Sequence, residues 1–404
     1  MLQKIFSKEP VNTGRQKEID LIKAFSILMM IVCHCIEDLY DYSGDPFATF
    51  VRVYENQTMG AQAFMIGMGI GIVYAKKAEP KAHLKRGVSL IIIGQVLNLC
   101  RYAVPNGIGY LITGDESWRK LVFLVFSSDI MQFAGLTFLL IALFEYLHFS
   151  ELKIFLVALA MSAVGTLTAA QVETGSYVLD QFLGFFIFTK SESYFPLLYW
   201  FIFPAFGMLF GSILKHVRDK KKFYLSLLVP TGILTVLYFY LASSVDQPYF
   251  LVLRDLNAFN DMHFTDVLAQ LICNTCLICV SFFVTKILSE RIMKGVSFIS
   301  GNINRFYCVQ WVLIELVDAV NTLNGFRFGA STRPLLYLTA LSVILVTWAV
   351  VYVYSRCLAR RWEAFFGKRR PLWYGAVIAA SVIVCAWAYG AGMPMPNLLN
   401  NYLE

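Results

Sequence analysis

The sequence predicts an all-α, polytopic membrane helical bundle, and three observations predict it. First, of 404 residues 58% are hydrophobic and 15% charged, with a mean hydropathy of +0.61, whereas a soluble chain carries about 25% charge. Second, the apolar residues gather into runs, many of them long enough for the roughly 20 helical residues that cross a bilayer core. Third, Lys and Arg alternate between the two sides of those runs. No backbone polar group can stay unpaired in lipid, and the runs are far too long for barrel strands, so helices are required. The same balance excludes a disordered chain, a collagen and a disulfide-stapled secreted domain.

About eleven spans follow, each an apolar run bounded by charge or by Pro and Gly. The first covers 19 to 38, after a polar leader, and the second 59 to 75, ending at Lys76 and Lys77. The third, 87 to 104, opens after Lys85 and Arg86, and the fourth covers 130 to 147. Ahead of it, Leu121 to Ser128 is apolar but too short to cross, and reads as re-entrant, interfacial or an early start. The fifth and sixth cover 152 to 170 and 196 to 214, the sixth opening at Pro196. The seventh, 223 to 242, follows Lys220 to Lys222, and the eighth covers 265 to 287. The ninth, tenth and eleventh cover 296 to 319, 335 to 356 and 372 to 390.

With the N-terminus in the cytoplasm, the inner segments hold 24 of the 34 Lys and Arg residues and the outer ones 8. Lys23 and Arg305 fall within spans, Arg305 as the only Arg deep in one. That alternation sets the C-terminus outside. It also accounts for the net charge of +7, so no nucleic-acid partner is expected. The organisation is a cytoplasmic segment 1–18, one transmembrane domain 19–390 and an extracytoplasmic tail 391–404, with the first span an uncleaved signal anchor. No internal repeat is evident.

Nine cysteines lie in or at the ends of spans. Cys273, Cys276 and Cys279 have a metal-like spacing but sit on an apolar helix with no neighbouring His, so they read as small buried hydrophobes and no metal is expected. Gly67, Gly69 and Gly71 lack the strand and helix start of a phosphate loop and read as close helix packing. Of five histidines only His34 falls within a span. A titratable group there is costly and is a functional hypothesis by default, against the plainer reading of a packing hydrogen bond.

The neighbours of His34 favour function. Lys23 and His34 are eleven residues apart, so they share a helix face at about 16 Å of rise, and Asp20 lies one turn before Lys23 on nearly the same side. One face thus carries a carboxylate and an ammonium at the inner surface and an imidazole past mid-membrane. Other polar residues within spans could line the same route or serve as interhelical glue: Gln95, Asn98 and Arg101 on the third, Gln270 and Asn274 on the eighth, and Asn302, Asn304, Tyr307, Gln310, Trp311 and Glu315 on the ninth.

The run Asp20-Leu21-Ile22-Lys23-Ala24 followed by an apolar stretch ending in His34 resembles the first-helix signature of the transmembrane acyltransferase superfamily. That superfamily includes the type-3 membrane acyltransferases and the heparan-alpha-glucosaminide N-acetyltransferase-like proteins. The resemblance continues in Lys85-Arg86-Gly87 with Asn98, in Phe195 to Trp200 with Gly207 and Gly211, and in Gly301 to Tyr307 with Gln310-Trp311. Lys-Ala stands where Arg-Gly is common, and Gln310 follows Tyr307 where type-3 members tend to have a His, which favours the heparan-enzyme-like branch.

The resemblance implies transfer of an acyl group, most simply acetyl, from cytoplasmic acetyl-CoA to a hydroxyl or amine of an extracytoplasmic glycan or glycolipid. His34 and Asp20 are the catalytic candidates, His34 as general base or as acyl carrier. Lys23, Lys85, Arg86 and Arg305 are candidates to hold the phosphates of the acyl-CoA. The expected surroundings are a lipid bilayer, specifically a bacterial cytoplasmic membrane, with a homodimer left open. A secondary transporter or flippase for a sugar or lipid-linked substrate is the alternative, although paired broken helices in two related halves are not evident.

Overall fold

The computed structural model describes residues 5–40, 45–54, 60–75, 79–167, 172, 174–189, 194–244, 264–367 and 369–390. The expected tail 391–404, Lys76, Lys77, Lys190, Arg254 and Lys368 lie outside the described residues. Among those described, every regular element is a helix. The longer of these are α1 (Lys17–Leu39), α2 (Ala61–Val73), α3 (Pro80–Asn98), α4 (Ile130–Tyr146), α5 (Glu151–Leu167), α6 (Ile202–Lys215), α7 (Lys220–Ser244), α8 (Phe264–Val284), α9 (Ile303–Leu323), α10 (Arg333–Val353) and α11 (Arg370–Tyr389). Among the described residues, eight continuous helical stretches are long and apolar enough to cross a membrane, while α2 and α4 are apolar but shorter. The chain is an all-helical, multi-pass membrane protein.

The helix α1 is the hub. Its run from Ile19 to Leu39 contains neither Pro nor Gly, and Glu18 and Asp20 place acids in the first turn, where the helix dipole favours them. It packs against α2, α8, α9, α10 and the short helix Glu290–Gly301. Around it α2 pairs with α6, α3 with α4, and α7 with α8. The α2–α6 crossing is set by small residues. A Cβ on Gly69 would fall 2.0 Å from the Pro204 carbonyl oxygen, and one on Gly207 would fall 2.2 Å from that of Ile66. Helices in lipid associate through such close packing rather than through apolar burial, as the Gly67–Gly71 run suggests; Gly71 itself meets nothing.

Three expectations are revised. The ninth span does not begin at 296: the chain breaks at Asn302, so Glu290–Gly301 is a separate short helix and α9 starts at Ile303. Arg305 therefore lies in the first turn of α9 and is exposed, rather than deep in a span. The third helix starts earlier than expected, at Pro80, whose fixed φ suits a first helical position. That places His83 inside a helix, 4% exposed, with Nδ1 2.7 Å from a Glu145 carboxylate oxygen, so His34 is not the only histidine in one. The apolar stretch before α4 resolves into Glu116–Leu121 and a 3₁₀ turn, Val122–Phe126, whose Val122 and Val125 are fully buried.

Candidate functional site

The C-terminal half of α1 gathers polar groups around His34. Its ring stacks on Trp311 with centroids 4.0 Å apart and planes 24° apart, and stands edge-on to Tyr307 at 6.4 Å. Its Nδ1 lies 3.0 and 3.2 Å from the two side-chain amide atoms of fully buried Gln310. With Nδ1 engaged by the Gln310 amide, Nε2 is the ring nitrogen that this contact leaves over. Gln310, Trp311 and Tyr307 all come from α9, three and four residues apart, so one face of α9 grips one face of α1.

Arg101 is the second centre. After Asn98 the third helix widens into a π turn, Leu99–Ala103, of the kind often found at functional sites. The turn carries a guanidinium, 7% exposed, onto the Trp311 ring at 3.6 Å from its centroid. Arg101 donates to Asp129 at 2.9 Å and to Glu315 at 3.1 Å. Asp129 in turn accepts from the Tyr307 hydroxyl at 2.5 Å and caps α4 through the Ile130 N–H at 2.6 Å. A buried cation is thus matched by two carboxylates, as burial of charge requires. Imidazole, indole and guanidinium form one continuous stack flanked by acids.

Asp129 is the residue sequence reading missed. It stands at the boundary of an apolar run, where an acid looks like an ordinary flank, and only the fold brings it to Arg101 and Tyr307. Gln95 and Asn98 prepare that arrangement from α3. Both donate to the Val125 carbonyl, at 3.0 and 3.1 Å, and Asn98 also donates to that of Ser127 at 2.9 Å. They fasten the 3₁₀ turn that delivers Asp129.

The N-terminal end of α1 is separate. Asp20 lies fourteen residues before His34, about 21 Å of helix rise away, and its oxygens are taken by Arg15, by Ser300 at 2.8 Å and by Ser297 at 3.2 Å. It clamps the helix Glu290–Gly301 to α1 and does not reach the imidazole. Lys23 feels the charges of Asp20, Arg15 and Arg86, and its stem passes the position where Gly67 lacks a side chain, 2.8 Å from an ideal Cβ there. Arg86 lies over the Phe138 ring at 4.8 Å, and Lys85 beside it is exposed. Arg305 bonds Asn302 at 2.5 Å and Ser355 at 3.2 Å. Gln270 and Asn274 are fully buried on α8, where the Asn274 side chain donates to the Gln270 carbonyl at 2.8 Å; Asn304 is half-buried. The fold therefore unites His34, Arg101, Tyr307, Gln310, Trp311 and Glu315 at one level and leaves the cations at another.

No curated protein and no solved structure matches this chain. A family model does, that of the heparan-alpha-glucosaminide N-acetyltransferase catalytic domain, over residues 15–245, which includes α1 with Lys23 and His34, α3 with Arg101, and Asp129. With more than half of its length so matched, the chain belongs to the heparan-alpha-glucosaminide N-acetyltransferase catalytic family.

Proposed function

We propose that this chain transfers an acetyl group from acetyl-CoA on the cytoplasmic side to a hydroxyl or amine of a glycan or glycolipid on the other, with the N-terminus cytoplasmic. The observation that carries the reading is the single face of α1 bearing Lys23 near the inner surface and His34 about 16 Å further along, beside a buried polar cluster. Cations at the inner mouth fit a phosphate-bearing donor: Lys23, Lys85, Arg86 and Arg305 would hold its phosphates, with Asp20 fixing the helix that forms part of the rim. The donor supplies an activated thioester carbonyl. At the outer level His34 Nε2 takes the proton from the attacking oxygen or nitrogen, and the same proton passes to the sulfur as the carbon–sulfur bond breaks. Arg101 is held by Asp129 and Glu315, and its place on Trp311 keeps the indole against the imidazole.

The test is to incubate purified protein with radiolabelled acetyl-CoA and fractionated envelope material. Label should move to a glycan fraction, and His34→Ala should abolish that movement while the protein inserts at normal levels. Full activity in His34→Ala would remove the assigned base. Substrate uptake into vesicles without any acyl-CoA, and no label transfer, would favour a transporter instead.

A further inference from the structure

Between the inner cations and the outer cluster, two buried amides carry side-chain polar atoms without partners. Gln132 on α4 is 2% exposed, yet neither its side-chain oxygen nor its side-chain nitrogen has a hydrogen-bond partner. Asn98 on α3 is fully buried, and while its nitrogen donates to Val125 and Ser127, its side-chain oxygen is also unpartnered. A buried amide left unpaired destabilises the fold, and each such group in a native structure calls for an explanation. The packing makes specific room for Gln132: a Cβ on Gly94 would fall 2.6 Å from the Gln132 amide carbon. Gly94 and Asn98 are one turn apart on α3, so the two amides share the same strip, just inward of Arg101 and Asp129.

Their depth selects the ligand. Gly94 lies eight residues, about 12 Å, outward of Arg86 and seven residues, about 10 Å, inward of Arg101. A donor whose phosphates rest at the inner mouth and whose thioester reaches His34 passes this level, whereas an acceptor arriving from outside does not. The unmet groups are one N–H₂ donor and two carbonyl acceptors, the complement of a secondary amide. The pantetheine arm of coenzyme A carries two of these. We infer that Gln132, assisted by the Asn98 side-chain oxygen, binds a pantetheine amide and so sets the depth of the thioester; the inference rests on the acyl-transfer reading above.

The test compares wild type with Gln132→Met, which keeps the volume and removes the amide. Binding of coenzyme A and of adenosine 3′,5′-diphosphate, which has phosphates but no pantetheine, is measured on purified protein, together with steady-state acetyl transfer. The expected result is an unliganded Gln132→Met protein at least as thermally stable as wild type. Its coenzyme A affinity should be about tenfold weaker and its adenosine 3′,5′-diphosphate affinity unchanged. The KM for acetyl-CoA should rise with little change in the KM for the acceptor. Equal losses toward both nucleotides would mean damage to the fold and would overturn the inference, as would unaltered coenzyme A affinity or a rise in the acceptor KM alone. If wild type itself neither bound coenzyme A nor transferred label, the acyl-transfer reading would fail first, and separately.

Discussion

Gln310 holds the His34 ring at Nδ1, and the tautomer of the ring sets what it can do. An imidazole whose Nδ1 carries the proton and donates to the Gln310 oxygen presents a bare lone pair at Nε2; the opposite tautomer presents an N–H there and cannot act as a base. A side-chain amide can serve either, so the neutral ring is held in place without a fixed charge beside it. Gln310→Leu should therefore lower kcat for acetyl transfer by about 10- to 100-fold while the KM for acetyl-CoA changes little. An unchanged kcat would show that the contact only packs two helices. His34, Gln310, Trp311 and Glu315 were legible in the sequence because a polar residue inside an apolar run stands out. Asp129 and Gln132 were not, the first because it flanks a run and the second because its meaning lies in having no partner. Asp20 was legible as an acid on the face of Lys23 and His34 but not as a clamp, since Ser297 and Ser300 come from a helix nearly 280 residues away.

At the scale of elements, the π turn after α3 is the piece that builds the cluster around His34, because it swings Arg101 between α4 and α9. Arg101→Ala leaves Asp129 and Glu315 buried against each other's charge, and losing one partner of such a group costs about 3–5 kcal/mol. The variant should give a sharply lower yield of folded protein in detergent, checked by gel filtration and thermal unfolding. The α2–α6 crossing tolerates no side chain at Gly69, so Gly69→Leu should block assembly, whereas Gly71→Leu, which meets open space, should be accepted.

A third element reports on pH. Asp45 precedes the short helix Pro46–Tyr54 and is 2% exposed. Burial alone would raise its carboxyl, but the Ala48 and Phe47 N–H groups, the Tyr40 hydroxyl and Arg333 at 2.7 Å together hold it below the usual carboxylate range. A depressed folded value means stability that is complete above the unfolded value near 3.9 and lost as pH falls through the folded one. Acidification below about pH 4 should thus lower the unfolding temperature more in wild type than in Asp45→Asn, which should itself be about 1 kcal/mol less stable at neutral pH for want of the capping carboxylate. Equal acid sensitivity in the two proteins would contradict this. The helix Pro46–Tyr54 was not anticipated from hydropathy, nor was the break at Asn302: the span expected over 296 to 319 ran through Ser300-Gly301-Asn302, and the separate packing of Glu290–Gly301 against α1 shows the chain turning there.

For the whole molecule, hydropathy and the distribution of Lys and Arg anticipated a helical membrane bundle, because bilayer thickness constrains every span alike. The order of packing around α1 was not anticipated, since it depends on where glycines permit close approach. What results is a bundle with cations at one level and an imidazole–indole–guanidinium stack at another, joined along one helix. The most direct measurement of that division of labour uses sealed proteoliposomes in which accessibility of the N-terminal segment to protease defines the two faces. Radiolabelled acetyl-CoA is confined to the face carrying the N-terminus, and a membrane-impermeant glycan is supplied at the other. Wild type should label the glycan across the intact bilayer, and His34→Ala should not. Labelling that occurs only when donor and glycan share a compartment would contradict a route through the membrane.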